Sequence, residues 1–195
     1  MSEAFALIPG PKHAVQLFDS HRTAALAIAQ FVRDGLASNE RIILVTRLDD
    51  WNRAAVHLSR EVPLADAIAS GRLTVCDSRR TLESVLEDGW PSPALFDRVI
   101  TPLIVAATRD GSQVRAYGDM VDTLAGDGRY AAAARLEEIW NDLRARIPFT
   151  LFCGYSSGHF SHGSSRAPLE RIRELHSHEC CAPGDLVAAD LLEQS

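Results

Sequence analysis

The chain has 195 residues, 46% hydrophobic and 24% charged, the make-up of one ordinary globular domain with a sizeable core. A net charge of −6 argues against direct nucleic-acid binding, which needs a basic face. No apolar run approaches the ~20 residues of a membrane span. The N-terminus also has no basic region leading into a long apolar core, so the expected location is cytoplasmic.

Residues 1–12 hold two prolines and a glycine and read as a leader. His13–Phe18 (HAVQLF) predicts a first strand. Asp19 and Ser20 offer N-cap side chains to a helix running to about Gly35. Arg41–Thr46 (RIILVT) is almost continuously apolar, the pattern of a strand covered on both faces. Asp49 or Asp50 can cap the next helix, which carries Trp51, Ala55, Val56 and Leu58. A short helical turn over residues 62–71 precedes a third strand, Leu73–Cys76. A helix follows at Thr81–Leu86, then an interruption at Gly89–Pro93. Ala94–Arg109 reads as a long helix with Phe96, Val99, Ile100, Leu103, Ile104 and Ala107 inward. Pro102 inside it marks a kink or a restart.

Val114–Tyr117 and Phe149–Tyr155 are two further strands joined through helix, which predicts a parallel pair with a right-handed crossover. Gly126-Asp127-Gly128 divides the connection into a short helix from Asp119 and a long one from Arg129. In the long helix, Ala133, Leu136, Trp140, Leu143 and Ile147 recur at three- and four-residue steps and form the buried face. Glu137, Glu138, Asn141, Asp142 and Arg144 are assigned to the opposite face, and Pro148 ends the helix. Ser156–Pro168 reads as a polar loop and Leu169–Ser177 as a last short helix. Residues 179–195 form an acidic tail with a helix at Asp185–Leu192 that can dock on the body or on a partner. The alternation predicts an α/β three-layer sandwich, one domain over residues 13–178, with a mainly parallel sheet of five or more strands.

Ligands of open parallel sheets bind beyond the carboxyl ends of the strands. Candidate ligand-binding residues there are Phe18, Asp19, His21, Arg47, Asp77, Arg79, Arg115, Tyr117, Asp119 and Tyr155. Helix capping explains Asp19, Ser20, Asp77 and Ser78 equally well. Arg115 and Asp119 can instead pair with Glu137 or Arg79 and fix a strand–helix junction. The first turn, Phe18 to Thr23, has no glycine and no Lys-Ser/Thr pair, and it places Asp19 where phosphate would sit. No GxSxG elbow occurs. Catalysis is therefore not expected; a nucleotide-binding enzyme with an atypical loop is the alternative. His176, His178 and Cys180, with His159 and His162 as further donors, are candidate ligands for a soft or borderline metal. The same run reads equally as a polar helix end. No cofactor beyond such a metal is expected. Cys76 and Cys153 read as small buried hydrophobes, and all four cysteines as thiols.

The segments HAVQLFDS, CDSRRTL, VRAYGDMVDTL, AAARLEEIWNDL, PFTLFCGY and LHSH, in that order, resemble the MEDS domain, the methanogen/methylotroph DcmR-type sensory domain. The resemblance covers His13 to His178. It rests on the ordered combination of Arg115, Gly118, Met120, Leu136, Glu137, Trp140, Asn141, Pro148, Phe149 and Tyr155. It implies a RecA/KaiC-like fold without a functional phosphate loop, in agreement with the reading of Phe18–Thr23. It also implies a stand-alone sensory input in transcriptional control or two-component signalling. The implied ligand is a small hydrophobic or one-carbon compound, and the implied partner a histidine kinase or transcription regulator. Asp119 departs from the family's usual Gly-Glu-Met by one methylene, and Cys180-Cys181 is not part of the pattern. A homodimer through the Ala94–Arg109 helix and the tail is a further expectation.

Overall fold

Side chains alternate across a strand, so the apolar run in Arg41–Thr46 has to be covered from both sides. The computed structural model, which describes residues 12–180, meets that requirement with helices on both faces of one sheet. In chain order the elements are β1 (His13–Phe18), α1 (His21–Ala37), β2 (Arg41–Thr46), α2 (Leu48–Leu58), α3 (Leu64–Ala69), β3 (Leu73–Asp77) and α4 (Ser78–Val85). A small hairpin follows, β4 (Leu86–Glu87) and β5 (Trp90–Pro91), then α5 (Pro93–Val99) and α6 (Thr101–Thr108). The chain continues through β6 (Val114–Gly118), α7 (Met120–Gly126), α8 (Tyr130–Arg146), β7 (Thr150–Ser156), α9 (Arg166–Glu174) and β8 (His178–Glu179). The six-stranded sheet is parallel throughout, in the order β3-β2-β6-β7-β1-β8.

The two sides of β2 separate two cores. Ile42 and Leu44 pack with Ile28, Phe31 and Val32 of α1, Ala54 and Leu58 of α2, and Ala67 of α3. Ile43 and Val45 pack with α4 to α8, where Phe96, Leu136 and Trp140 are the bulk. The same alternation puts Tyr117 and Phe152 on the α1 side, and Val15, Cys153 and Tyr155 on the α8 side. Helix and strand come especially close at Gly35 of α1, where an added Cβ would meet Arg115 Cδ at 2.7 Å and Ile42 Cδ1 at 2.9 Å. Gly154 of β7 leaves room for the Tyr117 hydroxyl and the Phe18 ring, which a Cβ there would overlap.

The three-layer α/β architecture matches the expectation, with differences in detail. Ser20 caps α1 through a capping box with Thr23, and Asp77 caps α4 by accepting from the amides of Arg79 and Arg80. The expected Asp49 or Asp50 cap of α2 is corrected: Arg47 holds the N-cap position without a side-chain bond, and both acids lie in the first turn. Pro102 marks a restart, because it sits in the first turn of α6, where a missing N–H costs nothing. Glu137, assigned to the solvent face, is fully buried. The last helix ends at Glu174, and His178 joins the sheet edge in β8. The leader up to Pro11, Cys181 and the tail helix lie outside the described residues. Among the described residues no helix is long and apolar enough to cross a membrane.

Candidate functional site

At the carboxyl ends of the central strands, Arg47 stands among three buried acids. Its guanidinium donates to Asp122 Oδ2 at 2.5 Å and to Asp50 Oδ2 at 3.1 Å, and its amide donates to Asp119 Oδ2 at 3.1 Å. Thr46 Oγ1 donates to the same Asp119 oxygen at 2.8 Å. Asp119 Oδ1 faces the Ser78 hydroxyl, and neither atom completes a hydrogen bond among the described residues. Asp122 Oδ1 accepts from the Ser156 amide at 2.6 Å and lies 3.1 Å from His159 Nε2. His21 Nδ1 approaches Asp50 at 3.0 Å from the open side, with 66% of its side chain exposed. Burial pushes the Asp119 carboxyl up, with Arg47 opposing the rise. Arg47 is held fully protonated: the Asp119 and Asp122 charges outweigh its desolvation. Three carboxyl side chains face one guanidinium, so acidic groups predominate at the rim.

The first turn is closed by its own cap. The Thr23 amide of α1, which would face an anion, already donates to Ser20 Oγ at 3.2 Å. Asp19 next to it is exposed and accepts from Ser157 Oγ at 2.9 Å.

The other residues singled out in the sequence divide between several places. Phe18 and Tyr117 are core residues, 4% and 1% exposed, on the α1 side. Asp77 caps α4, and Arg79 is exposed beside it. Arg115 lies near the start of β6, away from the rim. It pairs with Glu40, donates to the Phe31 carbonyl at 3.1 Å and stacks over the Phe31 ring at 5.0 Å. Its partner is thus neither Glu137 nor Arg79. Tyr155 points to the α8 side and donates to Glu137 Oε1 at 2.8 Å. Cys180 packs against the α1-side core, and His178 Nδ1 lies 2.8 Å from Ser177 Oγ. His176 is turned into the α8-side core, so it does not converge with His178 and Cys180.

His176 instead joins a buried knot that the sequence reading did not assemble. His13 and His176 are tilted rings 3.9 Å apart, with Glu137 between their Nε2 atoms at 3.3 Å and 3.4 Å. Cys153 Sγ donates to Glu137 Oε2 at 3.2 Å and lies 3.4 Å from His13 Nε2. Burial alone would raise the Glu137 carboxyl, but His176 and His13 outweigh it and hold the group well below the usual carboxylate range. Burial lowers His13, whereas for His176 the Glu137 charge overcomes burial and raises it. Burial next to Glu137 pushes the Cys153 thiol and the Tyr155 hydroxyl up.

Asp50 and Asp122 at the rim, and His13, Glu137 and Cys153 in the knot, were missed as site residues, and His159, read only as a further metal donor, sits on Asp122 at the rim instead. Two signals were available in the sequence. Asp50 follows Arg47, and Asp122 follows Asp119, by three residues, one helical turn. Glu137 and Asn141 are four apart beside the apolar stripe of α8, a polar seam at its edge. A surface groove of about 550 Å³ between α1 and α3, crossed by the Arg33–Glu61 ion pair, lies at the opposite ends of the strands and shares no residue with either cluster.

A search of curated proteins finds no match. Residues 12–177 match the family described as MEDS: MEthanogen/methylotroph, DcmR Sensory domain. With the match spanning nearly all of the described fold, the chain belongs to the MEDS family of sensory domains.

Proposed function

We propose that this chain is a cytoplasmic, non-catalytic sensory module that takes a small ligand at the rim around Arg47. Its signal passes by contact to a regulatory protein, a histidine kinase or a transcription regulator. The observation that carries this reading is the match to a sensory family over residues 12–177. Two features of the rim support it. The Thr23 amide at the start of α1 is occupied by Ser20, which weakens that helix end as a phosphate cradle. Three buried acids around Arg47 favour a neutral or cationic ligand over an anionic one. His21, mostly exposed and already on Asp50, is the side chain placed to move when such a ligand enters.

The test is a thermal-shift series with short amines, alcohols and halogenated one-carbon compounds, with ATP–Mg²⁺ as the anionic control. At a hundredfold excess over Kd a ligand adds about 2.7 kcal/mol. For a domain of this size that raises Tm by about 5–11 °C. The rise should be absent in Arg47→Met. Stabilisation by ATP–Mg²⁺ that His21→Ala removes would overturn the reading in favour of a nucleotide site.

A further inference from the structure

The knot under α8 brings one donor atom each from His13, Glu137, Cys153 and His176 within 4.8 Å of one another. The four come from β1, α8, β7 and the turn before β8, so only the finished fold assembles them. Glu137 Oε2, His13 Nε2 and Cys153 Sγ lie 3.2 Å to 3.4 Å from one another, and His176 Nε2 lies 3.4 Å from the other carboxylate oxygen, Oε1. A tetrahedral ion with the ~2.0–2.3 Å bonds of imidazole, carboxylate and thiolate ligands sets its donors roughly 3.3–3.8 Å apart. The shorter contacts already fall near that range, and the set, within 4.8 Å throughout, closes around one ion by drawing its longer pairs in by up to about 1 Å.

The surrounding groups aim the donors inward. His13 Nδ1 lies 2.9 Å from Asn141 Oδ1, and Asn141 Nδ2 donates to the Leu175 carbonyl at 2.9 Å. That second bond fixes which end of the amide faces His13, so Nδ1 carries the hydrogen and Nε2 presents a lone pair. His176 Nδ1 donates to the Ile172 carbonyl at 2.7 Å, which leaves its Nε2 facing the centre. That Nε2, in a side chain 1% exposed, lies 3.4 Å from Glu137 Oε1 without meeting hydrogen-bond geometry. Tyr155 holds the Glu137 carboxylate by its Oε1. Imidazoles and a carboxylate each oriented by a second hydrogen bond are the outer shell that metal ligands carry.

We propose that His13, Glu137, Cys153 and His176 form a closed, four-ligand site for a borderline divalent ion of the zinc class. The charges balance: carboxylate and thiolate together cancel the 2+ ion. The Cys153 thiol proton, and any proton carried by His176 Nε2, leave to solvent as the ion enters. With all four side chains 0–1% exposed, the site has no open position for substrate and serves structure or sensing of the ion itself. The site stands apart from the rim reading, and its failure leaves that reading untouched.

The experiment uses the full chain without a His tag, kept reduced. Metal is measured by mass spectrometry, and the protein is then stripped and refilled with Zn²⁺ or Co²⁺. Stoichiometric metal is expected, with a near-ultraviolet thiolate-to-cobalt charge-transfer band and the strong visible bands of tetrahedral Co²⁺. A variant with Cys76, Cys180 and Cys181 all changed to Ser keeps the band, and Cys153→Ser loses it. Asn141→Ala and Tyr155→Phe weaken Co²⁺ binding by about 10- to 100-fold through the lost outer-shell bonds. Three results overturn the proposal: no metal retained and no Tm gain with Zn²⁺ or Co²⁺; cobalt bound without the charge-transfer band; or a band that disappears in the triple-Ser variant. The triple-Ser result decides the matter even if Cys153→Ser does not fold.

Discussion

Arg47→Met removes the guanidinium from two acids, Asp50 and Asp122, whose side chains are 2% and 1% exposed. Removing one partner of a buried ion pair costs ~3–5 kcal/mol, because the remaining charge is stranded away from water. Arg47 itself is 23% exposed, so water reaches part of the gap and the lower end, about 3 kcal/mol, is expected. That corresponds to a fall in Tm of about 6–12 °C. Adding Asp122→Asn removes one stranded charge and should restore about 1–2 kcal/mol, a coupling of the size found for residues in contact. The deficit should also depend on pH through Asp119, which faces Thr46, Ser78 and Arg47, with Asp50, Asp122, His21 and His159 beyond. Burial already raises the Asp119 carboxyl and Arg47 opposes the rise, so the variant raises it further. An acid with a raised folded pKa gains stability as pH falls through that pKa and loses it as pH climbs from the unfolded value. The deficit should therefore be smaller at mildly acidic than at neutral pH. Urea unfolding followed by circular dichroism at both pH values measures it. A deficit under ~1 kcal/mol, or no coupling to Asp122→Asn, would show that the rim acids are solvated and the argument wrong.

Gly154→Ala forces a methyl into the Tyr117 hydroxyl and the Phe18 ring. It should cost ~1–3 kcal/mol by thermal unfolding, and an unchanged Tm would count against that close approach. Trp140, 1% exposed and edge-on to Phe96 at 4.8 Å between centroids, anchors the α8 side. Trp140→Ala should cost ~3–5 kcal/mol in urea. His21→Ala touches only the exposed end of the rim network, so its stability should stay within ~0.5 kcal/mol of the parent in the same melt.

The fold was largely legible because its signals are local. β2 announces two covered faces, Pro102 a kink or a restart, and Ser20 and Asp77 their caps. β8 escaped because two residues carry no periodicity; they count as strand only because Ala14 and Val15 pair with them. The rim was legible in part: Arg47 and Asp119 were named, but Asp122 was not, because only the folded sheet brings the Ser156 amide of β7 onto it. The knot was least legible. Glu137 sits beside, not within, the apolar stripe, and its burial depends on His13 and His176, which are 163 positions apart by their numbers. Tyr155 was assigned to the rim because it ends a strand, yet strand parity turns it to the opposite face from Tyr117.

The pairing of β1 with β8 has a consequence for how the domain is made. The Ser177 amide donates to the His13 carbonyl at 2.8 Å, joining nearly the first described residue to nearly the last. During synthesis His13, Glu137 and Cys153 leave the ribosome well before His176 can cover them. Contacts of such long sequence separation form late and slow the overall rate. A nascent chain halted after α9 would thus carry an uncovered carboxylate at its centre. Protease resistance should arise only once Glu179 has emerged from the exit tunnel.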